Sequence, residues 1–115
     1  MHTIVWYYGR MSGLFGSPAR TDTLVAVGRL GESYPRELAA ILGRQLTEIL
    51  RAIASLEEAG VVVTRMRGRT RLTTLNPRFP AKDKLYELIL EISEWPQYKG
   101  LWNVRRRPRA IGKAL

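Results

Sequence analysis

The sequence of 115 residues contains no cysteine, and its one histidine is His2. Without thiols the chain has no disulfide framework, no thiolate nucleophile and no cysteine-based metal site. Without another histidine it also lacks the base of a Ser–His or Cys–His catalytic pair. No Gly-rich phosphate loop lies between a predicted strand and a helix. We therefore expect no enzyme, no cofactor and no metal site.

Long apolar runs are also missing, so no membrane-spanning segment is expected. The first 13 residues contain a short apolar run, but they have neither a charged start nor a small-residue cleavage site. This argues against a signal peptide and favours a cytoplasmic protein with no membrane partner. We interpret residues 1–13 as an N-terminal arm or extension, and Met11 as an alternative start.

Acidic residues are few compared with basic ones. Asp and Glu total 10, whereas Lys and Arg total 19, and the net charge is +9. Such an excess favours a polyanionic partner, although a high charge also serves solubility alone. With 45% hydrophobic residues, the composition is that of a globular protein, and the length fits one domain.

The spacing of apolar residues predicts three helices in the first half of the chain. The first begins at Ser17 and Pro18, which suit the cap and the first helical position, and ends at Gly31. The second is short, and Ser33 is expected to cap it. The third covers about residues 45–59, where apolar residues recur at positions i, i+3, i+4 and i+7.

The pattern then changes from a period of 3.6 residues to a period of two. Residues 61–75 predict a β-hairpin that turns at Gly68 and ends at Asn76-Pro77. Four arginines lie near its tip, with no acid between them: Arg65, Arg67, Arg69 and Arg71. A last helix is predicted from about residue 80 to 94, and residues 97–115 are interpreted as a basic C-terminal tail.

Several motifs in this order resemble those of ArsR/MarR-like winged-helix transcriptional regulators. They are Leu14-Phe15-Gly16-Ser17-Pro18-Ala19-Arg20, Arg36-Glu37-Leu38-Ala39 with Leu42-Gly43, Leu56-Glu57-Glu58-Ala59-Gly60-Val61-Val62, and Arg67-Gly68-Arg69-Thr70-Arg71 followed by Asn76-Pro77. The resemblance implies an α+β, mostly helical fold, a winged helix-turn-helix with a C-terminal dimerisation helix. The DNA-binding domain would cover residues 14–78, and the dimerisation helix residues 79–96. Metal-sensing members of the family do not fit, because the chain lacks their cysteines and histidines.

The resemblance also implies a function, that of a dimeric repressor of transcription that binds double-stranded DNA at specific sequences. The third helix would enter the major groove, and the arginine-rich hairpin would contact the backbone or the minor groove. The DNA-binding residues predicted in this way are Arg36, Arg44, Gln45, Thr47, Glu48, Arg51, Arg65, Arg67, Arg69 and Arg71. Glu48 has an alternative role in an ion pair with Arg51, and the hairpin arginines have one as a solvated strand edge.

The apolar stripe of the last helix allows two interpretations. It pairs with a second subunit, or it packs on the first helix of its own chain. We favour a homodimer with an interface formed by Leu85, Leu88, Ile89, Ile92 and Trp95. The tail either follows DNA phosphates or docks on the acidic face of the last helix. The alternative function is a winged-helix module that binds protein or RNA, without operator recognition. The sequence leaves open whether the protein binds a small-molecule effector.

Overall fold

The computed structural model describes residues 11–103, which form a helix-turn-helix followed by a β-hairpin and a final helix. The elements are α1 (Pro18–Leu30), α2 (Pro35–Leu42), α3 (Leu46–Glu58), β1 (Val62–Arg67), β2 (Thr70–Leu75) and α4 (Lys82–Ile92), with short 3-10 turns at Met11–Gly13 and Pro96–Tyr98. This order confirms the predicted winged helix-turn-helix. Most of the predicted N-terminal arm and the basic end of the tail lie outside the described residues.

Local capping explains where α1 begins and ends. The backbone N–H of Arg20 donates to the Ser17 hydroxyl at 3.0 Å, and Pro18 occupies the first turn, where a missing N–H is harmless. Gly31 follows the last residue with φ of +79°, a conformation that other residues rarely adopt. Both predicted boundaries of this helix are confirmed.

Ser33 does not cap α2, as the sequence had suggested. Tyr34 takes the capping position, and its N–H donates to the Glu37 carboxylate at 3.2 Å. Ser33 pairs instead with Thr73 of β2 through two backbone hydrogen bonds of 3.0 and 2.9 Å. The loop between α1 and α2 is thereby fastened to the edge of the hairpin.

The hairpin has the predicted turn at Gly68, which has φ of +64°. Its antiparallel register pairs Val62 with Leu75 at the base and Arg67 with Thr70 at the tip. Helix α4 is two residues shorter at each end than predicted, a normal uncertainty for helix termini. In the described part of the chain, no helix has the length and apolar composition needed to cross a membrane.

The core is centred on α1, which is buried from residue 23 to residue 28 and packs against α3, α4 and the hairpin. Each large apolar side chain buried there contributes about 1.5–3 kcal/mol. The cluster comprises Leu24, Val25, Ala26, Val27, Leu38, Ile49, Ile53, Leu56, Val62, Ile89, Ile92 and Tyr98. This packing sets the position of α3 relative to the hairpin.

Part of the predicted dimer interface is buried in the core of the single chain. Ile89 and Ile92 are fully buried within the single chain, and Ile89 lies against Gly28 of α1. These two residues therefore present no surface to a second subunit, which corrects the expectation for them. Leu85 and Trp95 are half-buried against the core, whereas Leu88 is exposed.

The folded domain extends into the segment that the sequence predicted to be a tail. Tyr98 is fully buried, and its ring stacks on Trp102 with 5.7 Å between the ring centroids. The Trp102 indole N–H donates to the Ser93 carbonyl at 2.8 Å. Residues 97–103 thus belong to the folded domain, because the two rings bury a large apolar area and each polar atom finds a partner.

The contact between α1 and α4 at Gly28 generates a stability prediction. An added Cβ would lie 2.5 Å from Ile89 Cγ2, closer than real carbon atoms approach. We expect Gly28→Ala to lower the free energy of unfolding by about 1–3 kcal/mol, because the packed core must shift. Urea denaturation measures the change. Gly13→Ala is the control, since open space surrounds that position, and a Gly28→Ala protein as stable as wild type would contradict the prediction.

Candidate nucleic-acid interface

Helix α3 buries one face and presents another to solvent. The buried face consists of Ile49, Ala52, Ile53 and Leu56. Near the N-terminus of the helix, Gln45, Thr47 and Arg51 are exposed. Leu50 is also exposed, to 38%, although it belongs to the apolar stripe of this helix. The exposed face thus combines polar groups with one aliphatic side chain.

A groove of about 570 Å³ runs between this helix, the start of α2 and the hairpin. Leu46 and Leu50 contribute an apolar part of its lining. Three arginines line it as well, Arg36, Arg69 and Arg71, together with one acid, Glu37, whose carboxylate accepts a hydrogen bond from the Tyr34 N–H. Within residues 11–103, none of the three forms an ion pair. The groove therefore offers cationic hydrogen-bond donors beside the exposed face of α3.

The four hairpin arginines do not form one patch. Because side chains alternate along a strand, Arg65 and Arg67 lie on one face of the hairpin and Arg71 on the other. Arg65 is paired with Glu32, and Arg67 Nη2 lies 3.5 Å from Glu32 Oε1. The hairpin itself contains no acid, but the fold brings one from the loop between α1 and α2.

The turn before α3 is held by a second ion pair. Arg44 Nε and Nη2 each lie 3.0 Å from Asp22 Oδ2, and Nη1 lies 3.6 Å from the Glu48 carboxylate. Glu48 also accepts a hydrogen bond from the Gln45 N–H at 3.2 Å. The alternative pairing of Glu48 with Arg51 is therefore wrong, and Arg44 and Glu48 interact within the chain.

The same Asp22 links the turn to the C-terminal segment. Tyr98 donates its hydroxyl proton to Asp22 Oδ1 at 2.7 Å, on the carboxylate that also binds Arg44. Burial, together with the hydrogen bond to Asp22 and the charge of that group, raises the pKa of the Tyr98 phenol above its usual range. The neutral phenol is the form that this contact requires.

The raised pKa of Tyr98 predicts a loss of stability in alkaline solution. The unfolded chain loses the phenolic proton near pH 10, whereas the folded chain retains it to higher pH. Stability is therefore fully present below about pH 10 and falls as the pH rises above it. We expect Tyr98→Phe to lower the free energy of unfolding at neutral pH by about 2 kcal/mol and to flatten this alkaline decline.

Denaturation at a series of pH values measures both effects. Tyr86→Phe is the control, because Tyr86 is an exposed tyrosine on α4. An alkaline decline that persists unchanged in Tyr98→Phe would show that this phenol is not its source.

Sequence reasoning missed four residues that shape this interface, namely Asp22, Glu32, Leu50 and Tyr98. Asp22 and Glu32 act on arginines 22 and 33 positions away, so no local pattern pairs them. Leu50 lies at the edge of an apolar stripe, where burial depends on the neighbouring hairpin. Among residues 11–103, no three His, Asp or Glu side chains are arranged to hold a metal ion.

Comparison with known proteins rests on the fold. No family model matches the sequence, and no curated protein is similar to it. Among solved structures, the chain is similar to a cysteine-to-serine mutant of MarR from E. coli, with a TM-score of 0.60 and 16% identity. The match covers 98% of this chain and 87% of that one. The chain therefore has the MarR-like winged-helix fold that its motifs had implied.

Proposed function

We propose that this protein is a transcriptional regulator that binds double-stranded DNA as a dimer and represses by occupying its site. The observation that carries the proposal is the groove beside α3, where Arg36, Arg69 and Arg71 have no carboxylate partner within residues 11–103. Three cations and one acid line this groove, and such an excess of positive charge favours a bound polyanion. The fold, shared with MarR, supports the same conclusion.

In this proposal α3 enters the major groove, which is wide enough for a helix. Arg51 offers paired donors to guanine, and Gln45 offers a donor and an acceptor to adenine. Thr47 contacts a phosphate or a thymine methyl group. Leu50 adds an apolar contact with a thymine methyl group, because its side chain is exposed on the same helix. These four residues are the proposed source of sequence specificity.

Five of the remaining predicted residues divide into two groups, and Arg65 and Arg67, which pair with Glu32, form a third. Arg36, Arg69 and Arg71, which line the protein groove beside α3, bind DNA phosphates. A guanidinium group can donate two parallel hydrogen bonds to two oxygens of one phosphate. Arg44 and Glu48 act by positioning the first turn of α3, since each interacts with its own chain. A direct contact of Arg44 with DNA would have to come mainly from Nη1, because Nε and Nη2 bind Asp22.

A winged-helix monomer covers about one half-site, so a dimer matches a palindromic operator. The exposed apolar residue left for the interface on α4 is Leu88, which is 46% exposed. Leu85, three residues earlier on the same side of the helix, and Trp95, just after the helix, are half-buried. We propose this smaller surface as the dimer contact, in place of the full apolar stripe.

DNA binding is tested with a labelled duplex of about 30 base pairs, which accommodates two half-sites one helical turn apart. Affinity is measured by fluorescence anisotropy over a range of salt concentrations. The double variant Arg69→Gln with Arg71→Gln is expected to bind about ten to a hundred times more weakly. Its plot of log K against log salt should be shallower by about 1.8, which corresponds to two phosphate contacts.

The matched control is Arg78→Gln with Lys84→Gln, which removes two exposed charges outside the groove. It should keep the wild-type slope. A wild-type protein that binds the duplex without salt dependence, or not at all, would overturn the proposed function. Binding to RNA in its place would favour the alternative of an RNA-binding module.

The dimer is tested by sedimentation velocity across a range of protein concentrations. We expect wild type to form dimers and Leu88→Glu to remain monomeric, because a carboxylate buried in an apolar contact is costly. Met66→Glu is the control, since Met66 is 60% exposed on the hairpin, away from α4. A Leu88→Glu protein that dimerises like wild type would exclude this surface as the interface.

A further inference from the structure

Glu32 contacts two of the arginines that the sequence had assigned to DNA. Its carboxylate pairs with Arg65 and lies 3.5 Å from Arg67 Nη2. Two guanidinium groups thus share one carboxylate on the face of the hairpin that does not carry Arg71. A phosphate group would bind the same donors with the same geometry.

The backbone on both sides of Glu32 is tied down. Gly31 ends α1 with φ of +79°, and the fully buried Ser33 pairs with Thr73 of β2 in both directions. The Ser33 hydroxyl also donates to the Gly31 carbonyl at 3.0 Å. These hydrogen bonds attach the loop that carries Glu32 to the hairpin. They therefore hold Glu32 next to the strand that carries Arg65 and Arg67.

The ion pairs themselves are open to solvent. The side chains of Arg65 and Arg67 are 60% and 64% exposed, and that of Glu32 is 30% exposed. Ion pairs in such surroundings contribute little to stability, so a phosphate and the carboxylate can compete for the same guanidinium groups. While Glu32 stays paired, the charges of Arg65 and Arg67 are neutralised, and its carboxylate repels a phosphate that approaches them.

We propose that Glu32 is a built-in competitor of DNA phosphate for Arg65 and Arg67, and that it limits binding to DNA of any sequence. The inference rests on the proposed function and concerns its specificity. Attraction between cations and phosphates is independent of sequence and supplies nearly all non-specific binding. An acid that neutralises part of the hairpin therefore weakens non-specific binding, while the contacts of α3 with bases are retained.

The test compares Glu32→Gln with Glu91→Gln, which removes the same charge from an exposed position on α4. The probe is a labelled duplex of random sequence, and anisotropy is recorded against salt concentration. We expect Glu32→Gln to bind about three to ten times more tightly than wild type, with a slope steeper by about 0.9, one additional phosphate contact. Glu91→Gln should stay within about a factor of two of wild type, because its charge is distant and screened.

A second pair of variants tests the inference without altering Glu32. With Glu32 present, Arg65→Gln should lose no more affinity than Lys84→Gln, since its charge is already neutralised. In the Glu32→Gln background, Arg65→Gln should remove the gain in affinity, which a double-mutant cycle measures. Thermal unfolding of each variant confirms that it is folded.

The outcomes distinguish the two proposals. If wild type binds and Glu32→Gln behaves like Glu91→Gln, or binds more weakly, Glu32 does not compete with phosphate. A large loss of affinity in Arg65→Gln with Glu32 present would also show that Glu32 does not compete with phosphate. If wild type shows no salt-dependent binding to the duplex, the proposed function itself fails.

Discussion

The close packing of α1 against α4 at Gly28 is the contact on which the other elements depend. Ile89 fills the space that a side chain would take there, so the two helices approach closely and bury the middle of α1. Helix α1 then contacts α3 and β2 on its other sides. Because interiors pack densely, this arrangement sets the distance between the exposed face of α3 and the hairpin. The groove between them follows from that distance.

Acidic residues near the two ends of α1 neutralise three of the arginines that the sequence had assigned to DNA binding. Asp22, near its start, holds Arg44, and Glu32, just after its end, holds Arg65 and Arg67. In the described part of the chain, Arg36, Arg51, Arg69 and Arg71 form no ion pair. Among the described residues, these four unpaired arginines lie around α3 and the adjoining side of the hairpin.

Much of this fold was predictable because its signals are local. Ser17 with Pro18 and Gly31 mark the ends of α1, and Gly68 marks the turn of the hairpin, since each acts through its own backbone. The misassignments involve distant partners. Ser33 was expected to cap a helix, but Thr73 of the hairpin binds it. Tyr98 was assigned to a tail, but Asp22, 76 residues away, accepts its hydroxyl proton.

The candidate site also has features that local sequence predicts and features that depend on tertiary packing. The sequence by itself determined which residues carry charge, where the helices and strands lie, and that α3 has a polar face near its start, because composition and periodicity are local properties. Only the tertiary structure decided which arginines remain unpaired, that Leu50 faces the groove, and that Ile89 and Ile92 belong to the core. The physical reason is that burial and ion pairing depend on distances between residues far apart in the chain, and packing sets those distances.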